Sequence, residues 1–388
     1  MKNKKNVYPI VISALSGLIA GALCVLLFVP NPLRSMLLGS SAYAKMSEIE
    51  YIVKNNYYKD IDIDKTADYL AYGYMAGLDD DYATYLTKEE YEQEKYSNSG
   101  GGTGIGVTVC MDVDTGYIYV MSVSKDGPAD KAGLKAGDLI YKIEDTKVNE
   151  DNYFDCVDMI RGEKGSNISL SLISGEDKKQ VQVTRDDFIR QTVYYKMIEN
   201  SCYIQITSFD EKTVEQFSEA IEYAQKKKAD SLIFDLRDNS GGLVDSASEM
   251  LDMLLPEDVL MYAHYKDSLK VRAQSDKDEI NLKMAVIVNE NSASASEYFA
   301  SAIRDFEKGK LIGNKTFGKG IMQTTFELSD SSAIRLTVAT VTTKSKTQYH
   351  GVGLTPDVEV NYTQEQAETY YKLGNDDPYI TKALKTVK

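Results

Sequence analysis

Ser231-Leu232-Ile233-Phe234-Asp235-Leu236-Arg237-Asp238-Asn239-Ser240-Gly241-Gly242 opens on an apolar run and closes on paired glycines. The run reads as a strand buried on both faces, and the glycines end it in a turn. A helical pattern over residues 243–254 follows. Lys283-Met284-Ala285-Val286-Ile287-Val288 begins the same sequence of events: a buried strand, then Asn291-Ser292-Ala293-Ser294-Ala295-Ser296-Glu297 as a small-residue turn, then a helical segment at 298–306. Strand, turn and helix repeated predict an α/β sheet, which binds ligands where its strands end and its helices begin.

Both turns lie where chemistry is expected. A serine at a helix N-terminus meets free backbone N–H groups and the positive end of the dipole, which stabilise developing negative charge. The same residues are explained without catalysis by a capping box, Ser294-x-x-Glu297. Paired glycines let backbone N–H groups approach a substrate oxygen closely, as an oxyanion hole requires, and a tight strand-to-helix turn also accounts for them. Downstream, Thr316-Phe317-Gly318-Lys319-Gly320-Ile321-Met322-Gln323 holds a lysine among apolar and glycine neighbours. A lysine becomes a general base when burial lowers its pKa, and no adjacent carboxylate opposes that here; an exposed lysine in a glycine turn is the plainer explanation. Gly313 to Lys319 also has the spacing of a phosphate-binding loop, but Gly320 stands where that loop needs Ser or Thr for magnesium. Only His264 and His350 are present, neither in a triad context, and no H-E-x-x-H occurs.

Toward the N-terminus, glycines 100–102 mark a break before a small β-rich module over 104–185. Its strands read at 107–110, 117–120 and 168–172, with one helix around 154–160. Residues 44–96 are polar and tyrosine-rich and read as short helices. Residues 6–33 carry no Asp, Glu, Lys or Arg and follow Lys2, Lys4 and Lys5. That run is long enough to span a bilayer, and the lysines predict a cytoplasmic N-terminus with everything after Arg34 outside. The alternative is a cleaved signal peptide with Ala42-Tyr43-Ala44 as its site, which lies far beyond the apolar run. With 388 residues the chain exceeds one core, and a net charge of -15 disfavours contact with nucleic acid phosphates. Cys24, Cys110, Cys156 and Cys202 show neither C-x-x-C nor metal-ligand spacing and read as unpaired thiols.

Taken in order, D-L-R-x-N-x-G-G, S-A-S-A-S-E and T-F-G-K-G-x-x-Q resemble the motifs of the carboxy-terminal processing (tail-specific) proteases, from about residue 44 to 360. The resemblance implies Ser294 as nucleophile, Lys319 as base and Gln323 as the residue that positions the lysine, one turn on if the stretch is helical. It also implies the backbone N–H groups of Gly241 and Ala295 as oxyanion hole, with no metal or organic cofactor. The β-rich module resembles a PDZ domain with Gly104-Ile105-Gly106-Val107 as carboxylate-binding loop, and Arg161 in Ile160-Arg161-Gly162-Glu163-Lys164-Gly165 fits the arginine that couples ligand binding to the active site. Leu78 to Leu86 looks like the family's helical lead-in. Two departures, Ser240 for the usual proline and Lys344-Ser345-Lys346 for the usual P-S-G, bear on subgroup and cleavage preference.

The expected organisation is a cytoplasmic tip and transmembrane anchor at 1–34, a helical region at 35–97, an inserted PDZ domain at 98–185, an α/β serine protease core at 186–361 and a helical tail at 362–388. The expected function is that of a single-pass cell-membrane serine endopeptidase facing the extracytoplasmic side, or one secreted after signal cleavage. It binds protein or peptide substrates with exposed C-termini and cleaves them through an acyl-enzyme. The resemblance also offers a homodimer through residues 44–96 and 363–388, and no nucleic acid partner. The rival from another class is a catalytically inactive PDZ peptide-binding scaffold; an esterase or acyltransferase using the same serine and a phosphate-loop NTPase are further alternatives.

Overall fold

A computed structural model describes residues 41–388. The expected anchor and cytoplasmic tip at 1–34 lie outside the described residues, and no described helix is long and apolar enough to cross a membrane. The described residues divide into two compact units, 41–71 and 72–388. In the first, helix α1 (Ser41–Asn56) leaves Ile49, Tyr51 and Ile52 exposed and carries a Lys54–Glu50 pair one turn apart at 2.6 Å. Helix α2 (Ile63–Ala76) begins there and ends in the second unit.

The second unit continues with a short strand, β1 (Thr84–Leu86), and helix α3 (Lys88–Asn98). The lead-in is therefore not helical throughout. Thr84, Tyr85 and Leu86 are β-formers, and they pair antiparallel with residues 333–335, burying Tyr85. Glycine-rich β2 (Gly101–Gly104) then leads into the small domain: β3 (Val107–Met111), β4 (Ile118–Val123), α4 (Pro128–Lys131), β5 (Leu139–Ile143), β6 (Thr146–Lys147), α5 (Tyr153–Ile160), β7 (Asn167–Ser174) and β8 (Asp177–Thr184). Its sheet runs β3-β4-β5-β7-β8, so β3 is an edge strand. Ile105, Ile118, Ile140, Cys156 and Leu170 share its core. Strand β9 (Asp186–Ile189) returns alongside β2 and closes the domain at its neck.

The core follows: β10 (Val193–Ile198), β11 (Ser201–Ile206), α6 (Thr213–Lys227), β12 (Ser231–Asp235), α7 (Val244–Asp252), β13 (Val259–Tyr265), β14 (Ser268–Gln274), β15 (Lys283–Val288), α8 (Ala295–Asp305), β16 (Gly309–Gly313), β17 (Ile321–Glu327), β18 (Ala333–Thr342) and β19 (Val358–Glu359). The central sheet has the order β10-β11-β12-β15-β16-β19 and is parallel from β11 onward. Along β12 the side chains alternate between two cores: Leu232 and Phe234 pack with Phe217 and Phe299, and Ile233 packs on the other face. That face is covered by the last helix, α10 (Pro378–Val387; α9 is Gln364–Glu368), through Tyr379, Ile380, Ala383 and Leu384. The apolar face of this helix, part of the 363–388 segment offered for a homodimer, packs on the chain's own core. A second sheet, β1-β18-β13-β14 with β17 on β18, stands beside the first.

Candidate active site

Ser292 and Ser294 lie in the turn between β15 and α8 and Ser296 in the first turn of α8, and their surroundings separate them. Ser292 is buried, its hydroxyl donating to the Leu236 carbonyl at 2.8 Å; Ser296 is buried, its hydroxyl donating to the Asn239 carbonyl at 2.8 Å. Both hydroxyls are committed to holding the turn against the loop after β12. Ser294, between them, is partly exposed and has φ 55° and ψ −115°. A serine with positive φ is disfavoured by its own Cβ, and a strained strand-to-helix turn of this kind lifts a side chain out of the backbone toward solvent. The Ala295 N–H, first in α8, has no intrahelical acceptor and lies at the positive end of the helix.

The loop after β12 closes against this turn. A Cβ on Gly241 would stand 2.9 Å from Ser294 Cβ and 3.0 Å from the Ala295 nitrogen, so only glycine fits. Asn239 is buried and organises the loop: its Nδ2 donates to the Ile206 carbonyl at 2.8 Å, and its Oδ1 accepts from the Gly241 N–H at 2.9 Å. Of the two expected oxyanion donors, Gly241 therefore sits beside Ser294 with its N–H already engaged, whereas Ala295 N–H has no acceptor among the described residues.

Glu297 joins the serine turn to the lysine loop. Its side chain is fully buried at the start of α8, and it carries four hydrogen bonds. Oε2 accepts from the Ser294 N–H (3.0 Å) and the Lys319 N–H (2.7 Å); Oε1 accepts from the Gly318 N–H (2.7 Å) and the Thr316 hydroxyl (2.5 Å). The glutamate of the capping box thus also binds a loop far along the chain. The same bonds dispose of the phosphate-loop alternative, because the loop N–H groups point at a carboxylate instead of an open anion site. Asp235, at the end of β12, is bound by Arg237 and by the Tyr203 hydroxyl at 2.7 Å.

Lys319 is half-buried, and burial, helped by the Arg335 guanidinium, pulls its pKa below the ordinary 10.5, with Asp80 acting the other way. Its Nζ lies 4.6 Å from the centre of the Tyr82 ring. Gln323 belongs to β17, a strand paired with β18, so it is not one helical turn beyond Lys319; the β-forming run from Ile321 to Phe326 takes the strand. Its Nε2 donates to the Tyr82 carbonyl at 2.5 Å. Neither histidine belongs to this group: His264 bonds the Thr342 hydroxyl at 3.0 Å, and His350 is exposed.

In the small domain, the Gly104–Val107 segment links β2 to edge strand β3. Gly104 and Gly106 have φ 142° and 77°, Ile105 is buried, and the Ile105 and Gly106 carbonyls accept from Ala129 and Ser124, both at 2.8 Å. Arg161 is exposed and paired with Asp158 at 3.0 Å. The buried arginine nearby is Arg185, which donates to the Met159 and Ile160 carbonyls and braces the end of α5. A cleft of about 880 Å³ between this domain and the core is lined by Met121 and Ser122 on one side and by Tyr194, Asp238 and Asn291 on the other. The tail spans it: the Tyr371 hydroxyl donates to Asp112 Oδ1 (2.9 Å), and Lys372 pairs with Asp114 (2.7 Å).

Comparison with known proteins returns two family models, peptidase family S41 over residues 200–360 and the PDZ domain over residues 103–184. The chain is 32% identical over 360 residues to the carboxy-terminal processing protease CtpA of Bacillus subtilis (strain 168), covering 90% of this chain and 77% of that one. It is 34% identical over 359 residues to a CtpA-like serine protease of Staphylococcus epidermidis (strain ATCC 12228), covering 89% and 72%. Among solved structures it is similar to the photosystem II D1 C-terminal processing protease, at 25% identity and a TM-score of 0.53, covering 84% of this chain and 88% of that one.

Proposed function

The chain belongs to peptidase family S41, as a carboxy-terminal processing serine protease with a PDZ domain, and from that premise we propose that it cleaves by a dyad of Ser294 and Lys319. The observation that carries the proposal is the Glu297 carboxylate, one oxygen of which accepts from the backbone of both residues. Lysine in its neutral form takes the Ser294 proton as the hydroxyl attacks the scissile carbonyl. The Ala295 N–H stabilises the oxyanion, joined by a glycine N–H of the Gly241-Gly242 pair once Asn239 releases it. The lysine returns the proton to the leaving amine; water then enters with the same lysine as base and frees the acid. Gln323 supports the lysine, and its amide donates to the Tyr82 carbonyl beside it.

The substrate's chain end binds in the PDZ domain. A peptide adds to the open edge of β3, its carboxylate held by the N–H groups of the Gly104–Val107 loop, and the cleft beside Met121 and Asn291 leads toward Ser294. Arg161, exposed and paired with Asp158 at the end of α5, is the residue of this domain offered for coupling ligand binding to the active site. The charge-free run at 6–33 behind three lysines supports a single-pass anchor with the catalytic part outside the cytoplasm. The exposed apolar residues of α1 leave the N-terminal helices as the surface for self-association.

The test is cleavage of fluorescein-labelled casein by the full chain. Wild type cuts, and Ser294→Ala and Lys319→Ala are silent while remaining folded. Equal cutting by all three removes the dyad, and a silent wild type that still binds C-terminal peptides moves the inactive scaffold ahead.

A further inference from the structure

We propose that Tyr82 is a positioning residue of the active site, holding the Lys319 side chain on its ring and the Gln323 amide on its main-chain carbonyl. The proposal rests on Lys319 being the base. Two independent contacts converge on this one residue: Lys319 Nζ at 4.6 Å from the ring centre and Gln323 Nε2 at 2.5 Å from the carbonyl oxygen. Gln323 has a nearer alternative. Thr337 is its register partner across β17 and β18, on the same face, and the Thr337 hydroxyl is buried without a partner among the described residues. The amide nonetheless reaches the carbonyl of Tyr82, 241 positions away in sequence.

Local structure fixes Tyr82 for this work. Its N–H donates to Asp80 Oδ1 at 3.0 Å, the Ala83 N–H donates to the Asp80 carbonyl at 3.0 Å, and β1 follows at once and pairs with β18. Arg335 on β18 is bound by Glu94 of α3 at 2.8 Å, so the lead-in grips the same strand twice. The lead-in thus completes the site from outside the core.

The ring acts on one protonation state. An aromatic face attracts an ammonium and not a neutral amine. Around Lys319, Asp80 from the lead-in also favours the charged form, Arg335 from β18 disfavours it, and Glu297 accepts from the Lys319 backbone N–H. Tyr82 therefore holds the ammonium in place both at rest and in the transition state, where Lys319 carries the proton taken from Ser294. Without the ring, Lys319 loses its proton more easily and is less well placed.

The experiment measures kcat and KM of the full chain on fluorescein-labelled casein from acid to alkaline pH. In Tyr82→Leu the acid limb of kcat moves down by about half to one pH unit, the size of a cation–π contact. The alkaline plateau of kcat falls about tenfold with KM unchanged. Tyr82→Phe, which keeps the ring, restores both. Tyr82 is only half-buried, and Tyr82→Met serves if the leucine variant does not fold. A limb that stays in place overturns the proposal, whether or not the plateau falls, because a merely structural tyrosine lowers activity without moving the titration. Cutting by Lys319→Ala is a separate outcome, since it removes the dyad and leaves Tyr82 nothing to position.

Discussion

Replacing Glu297 with glutamine removes one acceptor oxygen while keeping size and shape. Four donors point at the carboxylate, two on each oxygen. A glutamine carbonyl serves one pair, and its NH2 group faces the other pair donor to donor. If the amide nitrogen takes the Oε2 side, the Ser294 and Lys319 N–H groups are stranded; on the Oε1 side, Gly318 N–H is stranded and the Thr316 hydroxyl must turn. Each buried donor left without an acceptor costs roughly 1–3 kcal/mol; the amide takes the cheaper orientation, which strands one donor, so the variant loses about 1–3 kcal/mol. For a domain of this size that is a fall of roughly 2–12 °C in melting temperature. Whichever way the amide sits, the link between serine turn and lysine loop is weakened, and misplacing catalytic groups by about 1 Å can cost 100-fold in rate. The assay pairs thermal unfolding with casein cleavage at a temperature where the variant is fully folded. A variant that melts within a degree or so of wild type and keeps its kcat refutes the claim that Glu297 holds the two loops together.

Two further outcomes follow from particular groups. Burial lowers the pKa of Lys319 in the folded chain from 10.5, so between the lowered value and 10.5 the unfolded chain binds more protons and wild-type stability rises with pH. Lys319→Met removes that penalty: it should melt higher than wild type below the lowered value, with the advantage shrinking toward pH 10.5, as read by melting across a pH series. Gly106 has φ 77°, where a side chain is strained, and a Cβ there would press on Ser124 Cβ at 3.3 Å. Gly106→Ala should weaken binding of a short fluorescein-labelled peptide with a free C-terminal carboxylate, read by anisotropy, while small-ester turnover at Ser294 continues; unchanged binding would remove this loop from the peptide site.

The α/β core was legible because strands buried on both faces give unbroken apolar runs, as in residues 231–236 and 283–288, and glycine or serine turns bound them. Ser294, Lys319 and Gln323 were legible only as a resemblance. Sequence alone did not choose among Ser292, Ser294 and Ser296, whereas in the fold two of the three hydroxyls are bonded to carbonyls of the loop after β12. Glu297 showed itself as a helix cap, and its second task depends on Thr316, Gly318 and Lys319 arriving from another loop. Asn239 lay in plain view in D-L-R-x-N-x-G-G, yet its work is to engage a glycine N–H, which no pattern of residue types reveals. The short strand β1 and the strand holding Gln323 were missed because both depend on pairing with β18, and Tyr82 was missed for the same reason. Arg161 was chosen by motif, but the buried arginine near it is Arg185.

The backbone of Ser294 lies at φ 55°, a conformation that glycine accepts and serine resists. A glycine there would relieve on the order of 1 kcal/mol of strain and abolish the hydroxyl. Mutation thus has a stabilising route at this position that leads away from catalysis. A lineage in which peptide cleavage no longer mattered would have every energetic reason to take it, so a serine held in this conformation bears the mark of selection for the hydroxyl it carries.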